Sequence, residues 1–232
     1  LADRLLFRTP QDMRLAPDGD APGLPPASVT SPSARALPGR LLWRDFRFLT
    51  LVAGMTFGLF AQVGLTAHLF SLLVPALGAQ QAGFAMALVT VMAIAGRTLL
   101  GRLMPLGADR RLVACAGYAA QLAGSMVFIV AAGNSVPLLL LGVVLFGAGF
   151  GNATSLPPLI AQVELVKDDV LRAVALMVGI AQGAFAFAPA IFGLLRDFAP
   201  GAAASNGGTY VFAAAALVQA LAIGAFLVGR RA

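Results

Sequence analysis

The chain has 232 residues, 59% of them hydrophobic and only 11% charged, with a formal net charge of +6 and a mean hydropathy of +0.87. A soluble domain carries about a quarter charged residues, so the composition excludes an ordinary water-soluble fold and points to a chain whose solvent is lipid. The single cysteine, Cys115, excludes an internal disulfide.

Residues 1–40 hold seven of the 14 prolines together with mixed charges. This predicts a largely unfolded aqueous tail or linker, with a membrane-embedded domain over 41–232. The stretch has no apolar h-region of a signal peptide, and with Leu1 at its start the sequence reads as a fragment. Six apolar blocks follow, at about 49–73, 82–104, 112–132, 136–160, 173–195 and 210–228. Each is near the roughly 20 residues that carry an α-helix across ~30 Å of hydrocarbon. The blocks are continuous and rich in Ala, Leu and Gly, not alternating, so they predict helices and not barrel strands.

Basic residues in short loops mark the cytoplasmic side. With the N-terminus inside, Arg4, Arg8, Arg14, Arg35, Arg40, Arg44, Arg47, Arg102, Arg110, Arg111, Lys167, Arg172, Arg230 and Arg231 fall inside, and only Arg196 falls in an outside loop. Both ends are therefore expected in the cytoplasm. The basic residues are dispersed over loops and ends without a dense patch, so the charge reads as anchoring and nucleic acid is not an expected partner.

The spans read as two sets of three. Gln121 and Gly124 in the third block have counterparts in Gln219 and Gly224 of the sixth. The first and fourth, "GMTFGLFAQVG" and "GVVLFGAGFGNAT", are both glycine-rich with polar residues deep inside. A three-span repeat within a six-span unit is a mark of transporters. The glycines themselves read first as close-packing positions.

Arg97 stands inside the second span. At 100° per residue it shares a face with Thr90, Ala93 and Gly101. A charge within a span is costly and faces a cavity or a partner; the competing reading is a guanidinium that snorkels to the interface or pairs with a loop acid. Arg102 reads as an anchor at the membrane edge. His68, the only histidine, shares a small-residue face with Ala61, Gly64 and Ser71. It reads as a proton acceptor or as an interfacial histidine bonded to a neighbour. Gln62, Asn152 and Gln182 lie closer to mid-depth, where each could bind a solute or join two helices. Glu164, Lys167, Asp168, Asp169 and Arg172 read as a solvated inside loop that could make gate contacts.

Three stretches stand in order along the chain: "RTPQDMRLAPDGD" at Arg8–Asp20, "GRTLLGRL" at Gly96–Leu103 followed by "ADRR", and "QGAFAFAPAIFG" at Gln182–Gly193. With them the chain resembles the C-terminal six-helix half of a major facilitator superfamily transporter, and within that superfamily the bacterial monocarboxylate and oxalate/formate-type carriers. The first stretch is similar to the linker after the sixth helix, with Arg14 where glycine is usual. The second is similar to the second-half copy of the loop motif, with Pro105 where an acid is usual. The third is similar to the eleventh helix.

The resemblance implies an all-α membrane protein of six transmembrane helices, arranged as two three-helix repeats and forming one half of a twelve-helix fold in the bacterial inner membrane. It implies secondary active transport of a small organic solute, a monocarboxylate-type anion, by alternating access and symport, with a proton as the candidate coupled ion. The partners implied are the substrate, the bilayer and a missing N-terminal six-helix half. Arg97 would bind the substrate carboxylate through its guanidinium fork, with Thr90, Gln62, Asn152, Gln182 and His68 as further candidate substrate contacts. Gln121 and Gln219 fall on peripheral helices and read as structural. Ala93 stands where monocarboxylate carriers often place an aspartate, and the third stretch has no base where oxalate carriers use a lysine. One fixed positive charge suits a monoanion better than a dianion.

There is no zinc-ligand spacing, no G-x-S-x-G, no P-loop and no pair of intramembrane acids. No catalytic residue, metal or cofactor is expected, and the chain is not expected to be an enzyme. The alternatives to transport are a non-transporting six-helix structural or assembly protein and an intramembrane enzyme. A subunit of an ATP-driven importer would need a longer cytoplasmic coupling loop than any here.

Overall fold

The computed structural model describes residues 39–104, 108–131, 133, 135–165, 167–197 and 206–230. The linker expected over 1–40, apart from Gly39 and Arg40, lies outside the described residues, as do the Arg8–Asp20 stretch and Pro105. Among the described residues every regular element is a helix: α1 (Gly39–Leu42), α2 (Phe46–Leu103), α3 (Arg110–Ala131), α4 (Val136–Phe150), α5 (Leu156–Glu164), α6 (Lys167–Phe185), α7 (Ala188–Asp197) and α8 (Asn206–Arg230). Four helical stretches are long and apolar enough to cross a membrane: Phe46–Arg102, Arg110–Ala131, Asp169–Asp197 and Gly208–Arg230. They point to an integral membrane protein.

The 58-residue α2 begins at Asp45, whose carboxylate accepts from the backbone N–H groups of Arg47 (2.8 Å) and Phe48 (3.3 Å), an N-cap. It does not run straight. Gly78 sits at φ 76° and ψ 161°, a conformation open to glycine and strained for any residue with a Cβ. Pro75, one turn earlier, withholds a backbone donor. The chain reverses there. The side chains of Gln62 and Arg97 donate to the neighbouring carbonyls of Phe150 and Gly151, whereas on an unbroken helix these two residues would stand about 50 Å apart. So α2 is two limbs, 46–77 and 79–103, folded back on each other. Each limb exceeds the roughly 20 residues that cross a bilayer core.

The third and sixth apolar blocks appear as α3 and α8. The fourth differs from expectation: α4 stops at Phe150, a turn occupies 151–155, and α5 starts at Leu156. The cause is local. Pro157 would drive its ring into the carbonyl of Ala153 in a continuous helix. In the first turn of α5 the missing proline N–H costs nothing. The fifth block is likewise interrupted, at Ala186–Phe187, just before Pro189 in the first turn of α7.

Two hydrophobic clusters follow one another along the bundle. One gathers Leu51, Met55, Tyr118, Ile160, Met177 and Phe226. The other gathers Leu69 and Leu73 from the first limb of α2 and Val89 from the second, with Phe128, Phe146 and Phe212. Phe128 stacks on Phe212 with ring centroids 4.9 Å apart. In lipid, apolar burial adds little between helices, so close packing and interhelical hydrogen bonds must hold them. The end of α4 is packed that closely on two sides: a Cβ at Gly151 would lie 2.1 Å from the carbonyl oxygen of Ala93 on the second limb, and one at Gly149 2.1 Å from that of Gly117 on α3.

Candidate functional site

The end of α4 organises the polar interior. A helix leaves its last carbonyls without intrahelical partners, and inside a membrane each unsatisfied group costs several kcal/mol. Here three consecutive carbonyls each receive a side chain from a different quarter. Gly149 accepts from Nε2 of Gln121 on α3 at 3.0 Å. Phe150 accepts from Nε2 of Gln62 on the first limb of α2 at 3.0 Å. Gly151 accepts from Nε of Arg97 on the second limb at 2.6 Å. Both glutamines are buried. The guanidinium also places its charge at the negative end of the α4 dipole.

Three of the six candidate residues, Gln62, Arg97 and Asn152, thus meet at this break. Asn152 is buried in the turn; its carbonyl accepts from Leu156 N at 3.1 Å, and with Tyr118 it lines a small void of about 10 Å³. Arg97 is exposed, and among the described residues neither Nη1 nor Nη2 has a partner and no carboxylate pairs with it. Thr90, two turns away on the same face, is exposed as well, its hydroxyl bonded only to Met86 O of its own helix at 3.4 Å.

The other two stand apart from the break. Gln182 is exposed on α6, in the least buried of the four membrane-length stretches. His68 belongs to a second polar group, its Nε2 lying 2.9 Å from the carbonyl of Pro189. A carbonyl only accepts, so this nitrogen carries the proton. Ser71 donates to His68 O and receives Nη1 of Arg196 at 2.7 Å.

Compared with known protein families, curated proteins and solved structures, the chain matches none. The site is therefore read from its own residues. Among the described residues no group of three His, Cys, Asp or Glu side chains could hold a metal ion.

The sequence expectation for the loop charges needs correction. Glu164 is not simply solvated. Its two oxygens take Nε and Nη2 of Arg111, both at 2.7 Å, in a bidentate pair. Arg111 is 1% exposed and also donates to Thr50 Oγ1 and to the carbonyls of Arg47 and Phe226, which ties α3 to α2, α5 and α8. Asp169 is buried too. The signal for the pair was present: Glu164 ends an apolar helix, where an acid opposes the dipole unless a cation answers it. Nearby, Asp109 caps α3 through the N–H groups of Arg111 and Leu112 and accepts from Arg230. Burial pushes its carboxyl up, but the Arg230 bond and the two backbone donors outweigh that and hold it below the ordinary aspartate value.

Proposed function

We propose that the chain is the C-terminal half of a secondary active transporter that moves a small organic anion, of the monocarboxylate type, across a bacterial inner membrane by alternating access. One observation carries the reading: Arg97, exposed within a membrane-length helix, holds a helix break with Nε and leaves Nη1 and Nη2 without described partners. Such a charge is costly against lipid. Its face therefore belongs against a water-filled cavity or a protein partner, and a paired set of guanidinium donors is suited to a carboxylate.

Discontinuous helices beside a central site are the usual means by which carriers hold solutes, and α4–α5 and α6–α7 are both discontinuous here. In this reading α2 supplies two spans, α4–α5 and α6–α7 one each, and α3 and α8 the remaining two, giving six in two sets of three. The exposed Thr90, Arg97 and Gln182 face the missing N-terminal half, with both termini cytoplasmic, and Gln62 and Asn152 support the site from behind. His68 is the candidate for a coupled proton.

The test is uptake. The reading frame upstream of Leu1 is expressed together with this chain and reconstituted in proteoliposomes, and saturable uptake of labelled lactate and formate is measured. Transport that Arg97→Gln abolishes, at unchanged membrane insertion, supports the reading. Uptake with unchanged KM and rate in Arg97→Gln removes Arg97 from the site and the main ground for the proposal.

A further inference from the structure

At the end of the bundle far from the Gly78 reversal lies an open cleft of about 520 Å³. Its charged lining is Arg47, Asp109, Arg110, Arg111, Glu164 and Arg230. Four arginines face two carboxylates, and both carboxylates are already committed. Glu164 gives its two oxygens to Arg111. Asp109 gives one oxygen to the backbone of α3 and the other to Arg230. Arg110 is one of the two arginines to which neither carboxylate is committed. Its Nη1 donates to the neutral carbonyl of Leu159 at 2.7 Å, and no carboxylate among the described residues pairs with it. The N-terminus of the 22-residue α3 adds the positive end of its dipole at the same place.

The surroundings of the cleft are apolar. Val163, in its lining, is 65% exposed, and Leu112 and Leu159 are exposed as well. Trp43 and Phe46 stand exposed at the start of α2, the level at which aromatic side chains mark a membrane–water interface. A concave, positively charged site beside such residues suits a ligand with an anionic head and hydrocarbon tails. Basic pockets between membrane helices take lipid headgroups in this way.

We propose that this cleft binds a phosphate-type anion, presented by the headgroup of an anionic phospholipid, with Arg110 as the principal charge contact and the apolar surroundings against the acyl chains. The proposal rests on the chain being a membrane protein and not on the transport reading. Phosphate chemistry has a second source, the free ion, and the experiment separates the two.

The full chain is placed in zwitterionic nanodiscs. Its melting temperature, and lipid retention by native mass spectrometry, are followed on adding phosphatidylglycerol or, at matched ionic strength, inorganic phosphate. Phosphatidylglycerol is expected to be retained and to stabilise the protein. Arg110→Gln is expected to weaken that binding about tenfold, the loss of one charge-assisted hydrogen bond. Val163→Glu is expected to do the same by setting a carboxylate in the cleft wall, without touching any bond of Arg110, so the test survives if Arg110→Gln fails to fold. Equal stabilisation by inorganic phosphate, with the same dependence on Arg110, supports the anion site and overturns the lipid as its source. Phosphatidylglycerol binding that is unchanged in both variants, or no effect of either ligand on the wild type, overturns the proposal.

Discussion

Arg97 rests its Nε on the carbonyl of Gly151 at 2.6 Å, and this single bond orients the whole guanidinium plane. With Nε engaged, a carboxylate can meet Arg97 only at its outer edge, through Nη1 and Nη2. Lysine keeps the charge but loses both the anchor and the fork. In the transport reading, Arg97→Lys should therefore raise KM for a monocarboxylate about tenfold or more, at matched surface expression. A wild-type KM in the lysine variant would show that charge alone suffices and that the orientation has no role.

Gln62 and Gln121 act on the same helix end without being exposed. Gln121→Leu strands the carbonyl of Gly149, and Gln62→Leu leaves that of Phe150 with only the long bond from Ala153 N at 3.4 Å. Each should lower stability by about 1–2 kcal/mol. Thr90→Val, which removes only a long bond within its own helix, should leave stability close to wild type. Thermal unfolding in one detergent, compared across the three, decides the matter; equal stability in all of them would mean the break does not depend on its side-chain donors.

Removing one member of the Arg111–Glu164 pair leaves the other uncompensated in a largely buried setting. Arg111→Met should cost about 3 kcal/mol or more, because it also abandons Thr50 and two backbone carbonyls. Adding Glu164→Leu should recover part of the loss, since the stranded carboxylate is then gone. A double variant no more stable than Arg111→Met would place the cost in the lost packing and backbone bonds instead.

Asp109 makes the acid limit of the fold dependent on Arg230. Its carboxyl is held below the ordinary value in the folded chain. The stability it contributes is therefore complete above the unfolded value of about 4 and is lost as pH falls through the lower folded value. Arg230→Gln removes the side-chain bond that lowers it, so less of this stability is present at neutral pH and less of it is lost on acidification. Melting temperatures of the two proteins should differ most near neutral pH and converge as pH falls below about 4. Parallel curves would show that Arg230 does not set this titration.

Much of the helical framework was legible because hydropathy is local. The blocks at 112–132 and 210–228 became α3 and α8, and the reversal at Gly78 falls in the gap foreseen between 73 and 82. The break at 151–155 was hidden because Leu138–Leu141 and Val143–Phe146 keep the average apolar across it. The sequence "GNATSLPP" nevertheless carries the turn chemistry in plain letters. For the site, Arg97, Gln62 and Asn152 could be picked out as polar residues in apolar blocks, but not as neighbours. Gln62 and Arg97 bond to backbone carbonyls 88 and 54 residues away in the chain, which no side-chain motif records. The Arg111–Glu164 pair was missed for the same reason, its members standing 53 positions apart in the chain.

The triple tether of α4 also has a direction in time. Gln62, Arg97 and Gln121 all precede Gly149 in the chain. A polypeptide made from its N-terminus has these donors in the bilayer before the carbonyls that need them are synthesised. Each newly exposed acceptor then finds its donor already waiting, and the broken helix never has to sit in hydrocarbon with bare carbonyls. A circular permutant that begins at Ser135 would reverse this order, inserting the acceptors first, and biogenesis itself, more than the finished structure, is where that rearrangement would be felt.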